Sequence, residues 1–298
     1  MRIDTLVIGM DFSRAGIAAA TWVTGSLAPR ATIALIHAIE PPARPSFLVA
    51  ETIAPAALEI DARAEWNDAL RRFASTLGPR VVRAEVRIGR AADVITQFAT
   101  DVGADGIVVG PHGNREHRSP LLGTTVDTLV RNADIPVIVG ARADTRGRTR
   151  VIGAVTEGGL QQAVLGWGSK VARDLGGRLT LVHVVEPAAY SHMASMVAAH
   201  SHGDEKAEQL EREVILAGEA RHWLTRVAGE SGDASRVDAV AEVGVASEVI
   251  LRYATKQRAA LIVLGRHEGR PFGLPRLGRT VRDVLHASRC GVLVLPPS

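Results

Sequence analysis

A single cysteine, 4% aromatic residues and no long apolar run: what this chain lacks already narrows what it can be. One thiol, Cys290, cannot close an internal disulfide, so nothing asks for an oxidising compartment, and a cytoplasmic location is expected. No segment approaches the roughly 18 uninterrupted apolar residues of a membrane span, and the opening MRIDTLVIGMD lacks the apolar stretch of a secretory leader, so no membrane partner is expected. Charge is nearly balanced, 35 Lys+Arg against 32 Asp+Glu, and few rings are available to stack on bases, so nucleic acid is not an expected partner. Three common enzyme signatures are missing as well: G-x4-G-K-[ST], G-x-G-x-x-G after a strand, and G-x-S-x-G.

What is present is 46% hydrophobic residues in 298, enough for two cores in domains of about 150 residues each. The chain also repeats itself. Leu6 to Gly9 (LVIG) recurs as Arg150 to Gly153 (RVIG), an offset of 144, and Leu35 to Glu40 recurs as Leu181 to Glu186, an offset of 146. Gly89 to Ile95 recurs as Gly244 to Ile250, and Gly106 to Gly110 as Leu261 to Gly265, now at an offset of 155. The rise from 146 to 155 places a nine-residue insertion in the helical stretch between those markers of the second copy. The polar, arginine-rich segment 141–149 reads as a linker between a domain at 1–140 and another at 150–298.

Within each copy, short β-branched runs alternate with stretches of helical period, the pattern of βαβ crossovers on a parallel sheet covered on both faces. The class is α/β. In the first copy strands are expected near 4–10, 31–39, 81–88, 105–110 and 136–140, and helices near 14–27, 57–77, 91–102 and 124–132.

The fourth strand of the first copy runs into Gly110, Pro111, His112 and Gly113, then nine residues, then Gly123, Thr124 and Thr125 at a helix start: G-x2-G-x9-G-T. Glycines let a ligand approach the backbone closely, and N–H groups at a helix start point at that spot, an arrangement suited to phosphate. Thr124 and Thr125 add hydroxyls, and His112, Arg115, His117 and Arg118 sit where they could cover an anion. Taken as bare spacing, a turn-rich loop before a helix reads more readily as structure alone. Asp11, at the end of the first strand, would face Gly110 where a doubly wound sheet reverses its order. It can accept hydrogen bonds from ribose hydroxyls or help hold a magnesium ion, or, with Ser13, serve as a helix cap.

Asp11-Phe12-Ser13, the strand ending His37-Ala38, Gly89-x-x-Ala92, and Gly110-x2-Gly113-x9-Gly123-Thr124 together resemble the universal stress protein family. The resemblance covers both copies and is similar to the tandem members. It implies two Rossmann-like domains of the adenine nucleotide α-hydrolase type, each a five-stranded parallel sheet of order 3-2-1-4-5. It also implies ATP, with Mg2+, in members that keep the full glycine motif. On this reading Asp11 approaches the ribose, Ala38 meets adenine through its backbone, and Gly110, Gly113, Gly123, Thr124 and Thr125 hold phosphates. Met10, Val109, His112, Arg115 and Val126 complete the expected nucleotide set, with no dedicated metal ligands. A stress-response regulator that pairs as a homo-oligomer follows from the resemblance, and the last strands of the two copies, 136–139 and 292–295, are candidates to pair at their edges.

The second copy departs from this pattern. Val155 aligns with Asp11, Glu268 stands in place of Gly113 with Gly269 one residue late, and Arg279 replaces Thr124, so weak nucleotide binding is expected there. Arg279 is expected to fill the vacated phosphate space with its own guanidinium, the alternative being that it reads a different anion. An enzymatic alternative, a slow ATPase or ATP-dependent transferase, finds no assignable catalytic lysine or arginine finger. A nucleotide-independent binding scaffold is the other alternative.

Other residues read as structural. His37 and His183 are expected to be packed imidazoles with one hydrogen bond each, Cys290 a buried inert thiol, and Trp22, Trp66, Trp167 and Trp223 helix packing. His192, His200 and His202 fall in the insertion-bearing region without metal-ligand spacing, and 114–122 reads as a cover over the site.

Overall fold

The computed structural model describes residues 3–41, 55–113, 123–142, 145–186, 203–266 and 277–297. The chain divides into two compact units, Arg2–Ala141 and Arg142–Ser298.

The first unit is built from β1 (Thr5–Gly9), α1 (Arg14–Trp22), β2 (Thr32–Ile39), α2 (Pro55–Leu77), β3 (Val81–Ile88), α3 (Ala91–Asp101), β4 (Gly106–Val109), α4 (Thr124–Asn132) and β5 (Val137–Val139). Its strands are all parallel in the order β3-β2-β1-β4-β5. Strand residues on both faces are buried, as in β1 (Leu6, Val7, Ile8) and β4 (Ile107, Val108), because helices cover the sheet from either side. Phe98 and Leu129 carry that cover from α3 and α4. The chain moves outward from β1 to β3, then returns to place β4 on the other side of β1. The gap between the carboxyl ends of β1 and β4 is therefore the switch point, where a crevice forms.

The second unit repeats the plan with β6 (Arg150–Ala154), α5 (Gln161–Asp174), β7 (Arg178–Val185), α6 (Gly203–Gly229), β8 (Val237–Val243), α7 (Ala246–Lys256), β9 (Leu261–Gly265), α8 (Arg279–Ala287) and β10 (Gly291–Leu295). Its strands run parallel in the order β8-β7-β6-β9-β10. Part of the insertion lies in α6, 27 residues against the 23 of α2. Each unit is thus the Rossmann-like sheet that the sequence leads one to expect. Among the described residues no helix is long and apolar enough to cross a membrane.

Three details differ from expectation or go beyond it. The helix expected through residue 27 is α-helical only to Trp22; Val23–Leu27 widens to a π-helix closed by the Ala28 N–H on the Val23 carbonyl at 2.9 Å. Second, the register of the repeat in the first strand is 145, not 144. Leu6 faces Ile33 and Gly106, whereas Val151 faces the corresponding Leu179 and Leu261. The shared Val-Ile-Gly string misaligns the two copies by one residue. The position of Met10 is therefore taken by Val155, and that of Asp11 by Thr156. Third, the matched glutamates near the ends of β2 and β7 cap the next helix but one. Glu40 Oε1 accepts the Ala91 N–H at 2.8 Å, and Glu186 Oε1 accepts the Ala246 N–H at 3.2 Å. Beside each, a glycine with positive φ, Gly89 at 149° and Gly244 at 153°, makes the turn into the helix.

Candidate functional site

The crevice of the first unit is assembled by the turn between β1 and α1. Ser13 is the N-cap of α1: its Oγ accepts the Gly16 N–H at 3.0 Å and donates to Asp11 Oδ1 at 2.8 Å. The Ser13 N–H also donates to Asp11 Oδ1, at 3.0 Å. Capping and presentation are thus divided between two residues, with Ser13 closing the helix and Asp11 bracing Ser13 through one carboxylate oxygen. The other oxygen faces the glycine loop, since a Cβ added to Gly113 would stand 3.2 Å from Asp11 Oδ2.

Two glycines make that placement sterically possible. A Cβ on Gly16 would stand at 2.4 Å from Asp11 Oδ1, so the carboxylate occupies space that any side chain at Gly16 would take. A Cβ on Gly110 would come to 2.9 Å from the Gly16 nitrogen and 3.0 Å from its Cα, so the end of β4 and the first turn of α1 touch backbone to backbone. Gly123 approaches the same loop, 3.8 Å from its Cβ position to the Pro111 carbonyl oxygen. It is the N-cap of α4, with an extended backbone (φ −61°, ψ 142°), and Thr124, Thr125 and Val126 form the first turn, whose N–H groups have no intrahelical acceptor. Thr124 is exposed, Thr125 half-buried and Val126 buried beneath them. His112 lies between the glycines, its carbonyl 3.4 Å from Ser13 Oγ.

The far side of the turn is aromatic. Phe12 has a left-handed backbone, φ 57°, unusual for a side chain of this size. Its ring stacks on Trp66 of α2 (centroids 5.3 Å, 24°), tilts against His37 (5.4 Å) and meets Phe73 edge-on (6.4 Å). His37, 8% exposed, donates from Nδ1 to the Met10 carbonyl at 2.6 Å and packs on Trp66 at 4.5 Å. Burial lowers its pKa below the ordinary 6.5, opposed by the Met10 hydrogen bond and the Asp11 charge. The cluster therefore clamps the residues on either side of Asp11. The aromatic anchors Phe12 and Trp66 and the spacer Gly16 escape sequence reasoning as site residues. A positive φ has no sequence signature in a phenylalanine, and Trp66 reads simply as one apolar position of an amphipathic helix.

Of the expected residues, Asp11, Gly110, His112, Gly113 and Gly123 come together around the crevice, with Met10 and Val109 buried beneath at the ends of β1 and β4. Ala38 lies one strand away, near the carboxyl end of β2, half-buried and paired with Arg87. Arg115 and the cover 114–122 lie outside the described residues, as do His192, His200, His202, Glu268 and Gly269. Among the described residues no group of three or more His, Cys, Asp or Glu could hold a metal ion.

In the second unit the same turn is built differently. The His183 imidazole again donates from Nδ1, now to the Val155 carbonyl at 3.0 Å, and packs edge-on against Trp223 at 5.1 Å. Thr156 takes the place of Asp11, so the carboxylate is absent, though not by way of Val155 as the aligned strings imply. α5 begins without a side-chain cap, and Leu160 crosses Gly265, its Cδ1 2.7 Å from where a Cβ would stand. Arg279 opens α8 as an exposed residue, and the buried arginine at this end of the sheet is Arg266, directly after Gly265, 7% exposed. Cys290 is buried beside Ser288 Oγ at 3.4 Å, and burial pushes its thiol pKa up.

A Rossmann-like unit with a glycine-lined crevice at its switch point, written twice, defines the class, and the family follows. The model of the universal stress protein family matches residues 2–140 and again 147–296. The chain belongs to the universal stress protein family. One stretch is 33% identical over 64 residues to universal stress protein G of Shigella flexneri, and to that of Escherichia coli O157:H7, taking in 22% of this chain and 44% of the relative. The chain thus spans about half the length of the curated relatives it matches. Among solved structures, a universal stress protein from Archaeoglobus fulgidus DSM 4304 aligns over 100% of both chains with a TM-score of 0.65 at 17% identity. A functionally unknown protein from Pseudomonas aeruginosa PAO1 aligns over 99% of this chain and 93% of its own with a TM-score of 0.61 at 16% identity. At those identities the structural likeness speaks for the fold.

Proposed function

We propose that the first unit binds ATP and that the protein acts as a nucleotide-responsive regulator of the stress response. The observation that carries this reading is the convergence of Gly110, Gly113 and Gly123 with Asp11 at the switch point, where a side chain on Gly110 would strike the α1 backbone. Phosphates would lie against Gly113, Gly123 and the first turn of α4, whose exposed N–H groups and threonine hydroxyls favour anions. Asp11 would offer Oδ2 to a ribose hydroxyl, and Met10 and Ala38 would border the base. Mg2+ would enter with the phosphates, because the described residues supply no cage of their own. The second unit, with Thr156 for Asp11 and Leu160 over Gly265, would bind nucleotide poorly, giving one ATP per chain by calorimetric titration.

Thermal unfolding of the full chain with and without Mg-ATP tests the reading. A ligand at a hundredfold excess over Kd stabilises the native state by about 2.7 kcal/mol, and the shift is expected to vanish in Gly113→Asp, which sets a second carboxylate beside Asp11. No shift at millimolar Mg-ATP, in protein shown by mass spectrometry to carry no nucleotide, would overturn it.

A further inference from the structure

The carboxyl end of the second unit's sheet contains a cavity of about 130 Å3, walled by Val155, Leu160, Val164, Val182, Ile250 and Val281. It lies where the first unit has its glycine crevice, since Val155 holds the ladder position of Met10, and Gly265 and Gly278 also line it. Its chemistry is not that of a phosphate site. The carboxylate position is Thr156, and Leu160 covers the Gly265 backbone that an anion would have to approach. A wall of valine, leucine and isoleucine side chains makes an apolar volume that water gains little by filling, and an apolar cavity of about 150 Å3 takes up benzene. Three polar side chains, Thr156, Gln161 and Thr280, interrupt that wall, and none of them is charged.

We propose that the second unit is a receptor for a ring-sized apolar, uncharged molecule, which it holds in the space its sister unit gives to the glycine crevice. The cavity sets the size, and the apolar wall excludes charge. This inference is independent of nucleotide binding in the first unit and survives its failure.

The test uses the full chain with 13C-labelled Ile, Leu and Val methyl groups, titrated with toluene and with benzoate as probes of equal ring size, one neutral and one charged. Toluene is expected to shift the methyl resonances of Val155, Val164 and Ile250, and benzoate to leave them in place. Ala246→Leu, which extends a side chain from the wall into the cavity, should abolish the toluene shifts. Absence of methyl shifts with toluene at millimolar concentration in the unaltered chain, or equal shifts with benzoate, would overturn the proposal, whether or not the variant folds. Displacement of the same resonances by Mg-ATP would overturn it too, because the site would then be a nucleotide site.

Discussion

The turns after β1 and after β6 leave the sheet from the same ladder register and arrive at different chemistry. Met10 and Val155 both give their carbonyl to a strand histidine, at 2.6 and 3.0 Å, so the two turns share an anchor. One residue later they part. The first goes through Asp11 and a left-handed Phe12 to a serine cap; the second goes through Thr156 and Gly158 (φ 135°) to an uncapped start at Leu160. The first turn is short and lets the backbone of α1 abut Gly110, leaving polar groups around an open glycine surface. The longer second turn brings a leucine side chain onto Gly265 and closes the equivalent surface with hydrocarbon. A duplicated fold can thus keep its scaffold and exchange a polar glycine crevice for an apolar one by changing the path of about five residues.

The strongest way to break the comparison is to load the two matched glycines. Gly110→Ala would force a Cβ to 2.9 Å from a backbone nitrogen in α1, which has no rotamer to escape into, and overpacking of that kind costs about 1–3 kcal/mol. Gly265→Ala meets the Leu160 side chain and no backbone: its Cδ1 at 2.7 Å can turn aside and its Cβ at 3.1 Å need give only a little, so a loss of about 1 kcal/mol, the low end of that range, is expected. Chemical denaturation of the two variants, each read by a tryptophan of its own unit (Trp66 or Trp223), measures the difference. Equal losses would mean that the two crevices are closed in the same way.

A smaller difference is expected between two variants at Phe12, where ring contacts and backbone strain oppose each other. Phe12→Ala loses a stack on Trp66 and the contacts with His37 and Phe73, each aromatic pair being worth about 0.5–1.5 kcal/mol, and keeps the left-handed φ. Phe12→Gly loses the same contacts but releases the strain. It should therefore be more stable than Phe12→Ala by about 1 kcal/mol, the cost of that conformation in an L-residue. In both variants the stabilisation by Mg-ATP should weaken, because the ring holds the turn that presents Asp11. An undiminished ligand shift would show that the aspartate needs no aromatic support.

How far this was legible in the sequence follows from the range of the interactions involved. Strands and helices emerge from periodicity, since burial on both faces of a parallel sheet leaves continuous apolar runs such as Leu6 to Ile8 and Ile107 to Val109. The glycine motif and Asp11 were legible because they are local in the chain. The register of the duplication was not. Val-Ile-Gly is common to both copies, but which residue faces Ile33 or Leu179 is decided across the ladder, and it moved the counterpart of Asp11 from Val155 to Thr156. Contacts between distant segments, Phe12 with Trp66 and Leu160 with Gly265, leave no trace in spacing at all.

The smallest effect, and the one that isolates the first unit's anchor, is the pH dependence supplied by His37. Burial lowers its pKa below 6.5, with the Met10 hydrogen bond and the Asp11 charge opposing the shift only in part. Well above pH 6.5 the imidazole is neutral in folded and unfolded chains alike, and its contribution to stability is fully present. As pH falls, the unfolded chain takes up the proton first, so stability declines through the interval down to the folded pKa and then levels off once both states are charged. Nδ1 already carries the hydrogen that binds the Met10 carbonyl, so protonation adds charge at Nε2 against Trp66 and Phe12 without breaking that bond. Denaturation midpoints of the first unit measured from pH 7.5 to 4.5 should therefore fall more steeply in the native sequence than in His37→Gln, whose amide can still donate to Met10 but does not titrate. Parallel curves would place the acid sensitivity elsewhere, and would mean that the histidine serves the turn by shape alone.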